Sequence, residues 1–417
     1  MKMWQNGLKI LKNGRILDPA NGMDEISDIL IKDGKIAGFG RFNGEAEVID
    51  ATGCWIMPGF IDLHVHFREP GQTHKEDLAS GLAAAAAGGF TTVCTMPNTT
   101  PAVDSSDLID FQIRRAKEIG LADILPVGAI TTGLQGKTLA PMAEMAVAGA
   151  AAFSEDGFTV RNAALQKQAM EVAAKLNIPI FSHCEDENLA VAGVFDGAES
   201  VIAARDILLA ELTGAHVHIC HVSTAASVQL ICEAKARGVK VTAEAAPHHF
   251  VLCKEDFDGT DTNFKMNPPL QSRRDLEAIR SGLADCTIDA IATDHAPHHA
   301  DEKAKPYADA PNGIVGLETA LSLALTELVG KGLLTPLQLA EKMSAAPAKI
   351  LGINKGNLAV GRPADIVVVD PNTTYSINPA SFTSKGKNTP FGGRTVKGRI
   401  YYTIFDGRLV YDYRQID

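Results

Sequence analysis

From about residue 55 to residue 300 the chain repeats one unit: a short run of apolar and β-branched residues, a polar residue closing it, then a stretch rich in alanine and leucine at helical spacing. The strand-like runs close at His66, Asn98, Ile130, Asp156, His183, His221, His249 and Asp294. Helical stretches fill nearly every gap: Glu76 to Gly88, Asp107 to Gly120, Ala163 to Leu176, Ile202 to Leu212, Ala226 to Gly238 and Arg273 to Leu283. Eight such units in roughly 230 residues fit an α/β fold of the (β/α)8 TIM-like type better than an open sheet. Seven of the eight runs close in His, Asp or Asn. That placement carries the functional reading, because barrels of this kind build their active sites at the C-terminal strand ends.

The two ends of the chain read differently. Gly7 to Leu11 and Ile29 to Gly40 are short β patterns, and Asp33-Gly34 between apolar alternations marks a hairpin. Ala364 to Asp370, Gly398 to Ile404 and Arg408 to Tyr411 read as strands at the other end. We expect a small β-sandwich domain made from both termini, residues 1–54 and 356–417, around a barrel spanning 55–355.

Composition narrows the class. A net charge of −11 argues against a nucleic-acid or anionic-membrane surface. Residues 1–10 carry lysines and polar side chains and lack the apolar core of a secretory leader. No run of about 18 apolar residues escapes interruption by a charge or glycine. The seven cysteines are scattered and never form a CxxC pair, which suggests buried thiols in a reducing cytoplasm.

Chemistry concentrates at the strand ends. His64 and His66, spaced i, i+2 at the end of a strand, put both rings on one face, where they can share a metal ion. Strand alternation groups Asp156 with Ser154 and Ala152 and turns Glu155 the other way, so Asp156 is the inward carboxylate. The same argument groups His221 with Val217 and Ile219 as lumen residues and sends His216 and His218 toward the helices. His64, His66, Asp156, His183, His221 and Asp294 then supply four imidazoles and two carboxylates. One tetrahedral zinc cannot use so many donors, whereas two ions bridged by a carboxylate and a hydroxide can. His74 and His299 read as solvated, and His248 and His249 lie on the same rim without a clear donor role.

The motif series resembles bacterial class I dihydroorotase of the amidohydrolase superfamily. It comprises Pro58 to Gly71, Met96-Pro97-Asn98, Phe153 to Gly157, Ser182 to Glu185, Cys220 to Thr224, Met266 to Leu270, Ala292 to His298 and Gly361 to Asp365, and covers essentially the whole chain. The stretch from Asp186 to Ala204 is shorter than that family usually carries, and Asn312 stands where a more apolar residue is usual before Gly313.

The resemblance implies two Zn²⁺ per subunit, one held by His64, His66 and Asp294 and the other by His183 and His221, with Asp156 and a hydroxide bridging them. It also implies that Arg68, Asn98 and His298 hold a substrate carboxylate and that Asn267 lies near a pyrimidine ring. Asn312, Gly313 and His66 are expected at the substrate too, and Asp294 as the proton carrier. The implied reaction is reversible closure of N-carbamoyl-L-aspartate to L-dihydroorotate for pyrimidine synthesis, by a cytoplasmic homodimer that can associate with aspartate transcarbamoylase. Two alternatives stand beside it. Dihydropyrimidinases and hydantoinases typically bridge their metals with a carboxylated lysine on strand 4, and residues 149–157 contain no lysine. Catalytically silent subunits that scaffold the transcarbamoylase have lost metal ligands, whereas all six are present here.

Overall fold

The computed structural model describes residues 7–42 and 45–415. Residues 1–6, part of the stretch read against a secretory leader, and the last two residues of the expected sheet domain lie outside them. The N-terminal half of the terminal sheet comprises β1 (Lys9–Asp18), β2 (Met23–Lys32), β3 (Lys35–Phe39), β4 (Glu47–Asp50) and β5 (Trp55–Pro58). Asp33 and Gly34 both adopt positive φ, 51° and 77°, the two-residue turn whose twist suits a right-twisted hairpin.

The barrel strands follow as β6 (Phe60–Val65), β7 (Phe90–Thr95), β8 (Asp123–Ala129), β9 (Ala152–Ser154), β10 (Ile180–Ser182), β11 (Val217–Ile219), β12 (Val241–Ala245) and β13 (Ala290–Ile291). They pair in sequence order, every pairing parallel. The seam between first and last is closed by a parallel bridge from Val65 to His295 and by Asp62. Its buried carboxylate accepts the backbone N–H of Thr293 at 3.0 Å and the Thr293 hydroxyl at 2.6 Å.

Helices α1 (Leu78–Ala87), α2 (Ser106–Ile119), α3 (Met142–Ala148), α4 (Ala163–Leu176), α5 (Glu187–Val191), α6 (Phe195–Thr213), α7 (Ala225–Ala236), α8 (Pro247–Val251) and α9 (Arg273–Ala284) alternate with these strands. Several starts are set by side-chain caps, Asp77 to Ser80 N in α1, Asn162 in α4, Thr224 in α7 and Ser272 in α9. Two apolar layers result. Cys94, Val127, Ala152, Phe181, Cys220 and Ala290 fill the lumen, and a larger cluster packs the outer strand faces on the helices.

Two expectations are corrected here. Val217 and Ile219 belong to the helix-facing cluster, while His218 packs 4.8 Å from the Phe181 ring of the lumen layer. The alternation was extrapolated back from His221, but β11 stops at Ile219 and His221 sits at φ 35°, so its direction says nothing about the strand. His249 does not close a strand: β12 ends at Ala245 and Pro247, favoured in a first helical turn, starts α8.

The chain returns to the terminal sheet with β14 (Ile366–Ser376), β15 (Thr395–Phe405) and β16 (Arg408–Asp412). The order is β16-β15-β14-β5-β1-β2-β3, with β4 also on β1, so Trp55–Pro58 falls on the sheet side of the boundary expected at residue 54. Leu11, Ile16, Ile29, Ile56, Ile366, Val368 and Ile404 form its separate core. Between β14 and β15 the chain leaves this sheet, and Ile377 and Phe391 pack into the barrel's outer core. Among the described residues no helix is long and apolar enough to cross a membrane.

Candidate metal centre

His64 is the penultimate residue of β6, its ring fully buried. Its Nδ1 lies 3.1 Å from Glu244 Oε1, leaving Nε2 turned toward Asp156 Oδ1 at 3.3 Å and Asp294 Oδ1 at 3.7 Å. His66, two residues on, places Nδ1 2.8 Å from Asn98 Oδ1 and Nε2 3.2 Å from Asp294 Oδ1. Asp156 stands beyond β9, its Oδ2 3.5 Å from His66 Nε2 and its Oδ1 3.5 Å from His183 Nδ1 and 3.7 Å from His221 Nε2. His183 Nδ1 and His221 Nε2 are 3.0 Å apart.

Besides an inner trio of His64, Cys220 and Glu244, two donor groups emerge, His64 with His66 and Asp156, and Asp156 with His183 and His221, each gathered within 4.8 Å. Asp156 belongs to both. His64 Nε2 and Asp156 Oδ1 are buried and, despite their proximity, have no hydrogen-bond partner. Unpaired buried polar atoms are costly, and lone pairs converging without hydrogen-bond alignment are what a cation would satisfy. The donor set therefore fits a pair of divalent metals with N/O preference.

Electrostatics runs the same way. Burial opposes ionisation of Asp156, but His64, His183 and His221 outweigh it and hold the carboxyl well below the usual range. Burial likewise opposes charge on Asp294, and the His66 contact with the nearby His64 and His221 rings reverses it, so its pKa is lowered. Arg68, His221 and Asp294 adopt φ of 59°, 35° and 48°, left-handed conformations that cost non-glycine residues on the order of 1–3 kcal/mol and cluster at functional sites.

A cavity of about 140 Å³ opens over these donors. Ten of the twelve expected site residues line it: His66, Arg68, Asn98, Asp156, His183, His221, Asn267, Asp294, Asn312 and Gly313. His64 lies beneath it. His298 stands behind Arg68, its Nε2 3.3 Å from Arg68 Nη2 and 2.7 Å from the Asn312 carbonyl. Asn98 Nδ2 donates to Asp156 Oδ2 at 3.3 Å, and Asn267 Nδ2 donates to Glu185 Oε2 at 2.9 Å.

Arg68 is the unusual member. Its guanidinium is buried, which lowers its pKa to about 10, and Nε donates to the Pro297 carbonyl at 3.3 Å. Among the described residues no carboxylate forms an ion pair with it. A buried guanidinium on a cavity wall without an acid of its own has donors free to pair with an anionic group.

Sequence reasoning missed Glu244, Glu185 and Asn388. Glu244 carried a readable signal, a carboxylate inside the otherwise apolar run Val241 to Ala245. Glu185, 3.3 Å from His183 Nε2, was quoted only as part of a motif. Asn388 had no signal, lying in the segment assigned to the other domain. His74 and His299 are exposed, as expected.

The chain belongs to the amidohydrolase family, which residues 55–410 match. Within it the similarity is to dihydroorotases. The dihydroorotase of Pelotomaculum thermopropionicum is 51% identical over 98% of this chain and 99% of that protein. That of Pelobacter propionicus is 46% identical over 96% and 99%. Among solved structures the L-hydantoinase (dihydropyrimidinase) from Arthrobacter aurescens superposes with a TM-score of 0.86 at 28% identity, covering 97% of this chain and 96% of that one.

Proposed function

We propose that this cyclic amidohydrolase is a class I dihydroorotase, closing N-carbamoyl-L-aspartate to L-dihydroorotate with release of water, and reversing the step, in pyrimidine biosynthesis. The observation that carries the reading is Arg68, buried and without a carboxylate partner beside the paired donor groups. Substrate and product both keep a free carboxylate next to the reacting ring, and dihydrouracil has none.

His64, His66 and Asp294 would hold one Zn²⁺, His183 and His221 the second, with Asp156 between them. Bound there, the ions would supply Lewis acidity, polarising a carbonyl and bringing water within reach of ionisation near neutral pH. The protein's own groups do the rest. Arg68, with His298 and Asn98, anchors the carboxylate; Asn267, Asn312 and Gly313 border the ring. In ring closure the carbamoyl nitrogen attacks the side-chain carboxyl carbon. Asp294 takes the proton from that nitrogen and returns it to the departing carboxylate oxygen, and a second proton, taken up from solvent, lets that oxygen leave as water.

Motif resemblance also supports a homodimer able to associate with aspartate transcarbamoylase, and five buried free thiols suit a cytoplasmic setting. The test is zinc content measured alongside cyclisation of N-carbamoyl-L-aspartate. Activity that persists after complete metal removal would end this reading. Hydantoinase activity is the second reading, favoured by the fold neighbour; the lysine-free stretch 149–157 and Arg68 weigh against it. Turnover of dihydrouracil at or above that of dihydroorotate would reverse the choice.

A further inference from the structure

The excursion between β14 and β15 is fastened to the barrel mouth. Glu318 accepts the backbone N–H groups of Thr383 and Ser384 at 2.8 and 3.0 Å. Glu76 accepts from the Ser384 hydroxyl and from Lys385 N. Gly386 lies so close to the barrel loop that an added Cβ would come within 2.6 Å of Pro297 Cβ.

This fastening delivers Asn388, 5% exposed. Its Nδ2 donates to the Ala296 carbonyl at 3.1 Å and to the Gly313 carbonyl at 3.0 Å, and its Oδ1 accepts the His298 N–H at 3.1 Å. Its own carbonyl accepts Val315 N at 2.9 Å. These four partners lie on two loops, the one after β13 that carries His298 and the one that carries Asn312 and Gly313. Those loops meet at the His298 Nε2 contact with the Asn312 carbonyl, beside Arg68.

We propose that Asn388 is a positioning residue for the carboxylate subsite: the terminal-sheet domain reaches across to fix His298 and Gly313 against Arg68. The inference rests on the reading of Arg68 and His298 as the carboxylate anchor. Removing the amide leaves the Ala296 carbonyl and the His298 N–H without their buried partner and the Gly313 carbonyl with Lys303 Nζ alone at 3.1 Å, so the two loops loosen while the metal donors other than Asp294, on other strands, stay in place.

The experiment compares Asn388→Ala, His298→Ala and the double variant for KM, kcat and bound zinc. KM does not depend on the fraction of folded enzyme, so partial misfolding does not imitate the effect. We expect Asn388→Ala to raise KM for N-carbamoyl-L-aspartate at least tenfold, with kcat within about threefold and zinc unchanged. In the His298→Ala background it should add less than twofold, because coupled residues are not additive. Should Asn388→Ala not fold, Asn388→Asp keeps the acceptor for His298 N and replaces the two donors by a charged oxygen facing the two carbonyls, and the same KM change is expected. If His298→Ala raises KM while the Asn388 variants leave it unchanged, or if the two effects multiply, the positioning role is overturned and the anchor stands. An unchanged KM in His298→Ala overturns the anchor and this inference with it.

Discussion

Glu244 joins two histidines inside the barrel, Oε1 lying 3.1 Å from His64 Nδ1 and Oε2 3.1 Å from His218 Nε2. Burial resists its charge, but the two rings more than compensate and bring its pKa down to about 2. A carboxylate at that position accepts the hydrogen bond of His64 Nδ1–H and so keeps the Nε2 lone pair facing Asp156.

Glu244→Gln, which retains the shape and loses the charge, should weaken zinc binding roughly 10–100-fold. Competition against a chelator of known affinity measures it. Affinity within twofold of the parent would show that His64 needs no such orienting partner.

Arg68→Ala should leave bound zinc unchanged and raise KM. A hydrogen bond between charged groups contributes about 1.5–3 kcal/mol, or roughly 10–100-fold in affinity. Steady-state kinetics with metal analysis on the same preparation decides it, and a change confined to kcat would contradict the anchoring role.

Asp294→Asn keeps an oxygen toward His66 and cannot accept a proton. Turnover should drop by about 10²–10⁴, the usual contribution of a positioned acid or base, while most of the zinc remains. Near-parental kcat would leave Asp294 as a ligand alone.

Acid should loosen the fold through histidines away from the metal donors. Burial, with His218 nearby, lowers the pKa of His216 from 6.5 to about 4. In this window the unfolded chain binds the proton and the folded chain does not, so stability falls as pH drops from about 6.5 toward 4 and is regained as pH rises. His216→Gln can still bond to the Thr242 hydroxyl, 2.8 Å away in the parent, yet cannot titrate. The gap in melting temperature between parent and variant should therefore change between pH 7 and pH 5 in the variant's favour. A gap independent of pH would refute this.

How much of this could be read in the chain depends on whether the cause was local. α4 was legible at both ends, because Asn162 caps it and Asn177 ends it with φ 54°. The rim residues were legible as a set because each strand unit ends the same way. Their exact relation to the strands was less so: His66, Asp156 and Asp294 follow the last strand residue by one, two and three positions. The lumen side of β11 was misread because the backbone at His221 departs from strand geometry. Asn388 was invisible because its importance comes entirely from loops more than 70 positions away along the chain.

The seam made by Asp62 and Thr293, 231 positions apart, bears on how the protein is born. While a ribosome is still adding residues near 290, the first-made half can display His64 and His66 but has no neighbour for them across the gap. Cation capture with the full set of donors must therefore wait until that last strand has emerged from the exit tunnel and docked. Truncated or stalled products ending before it would circulate as poor metal binders.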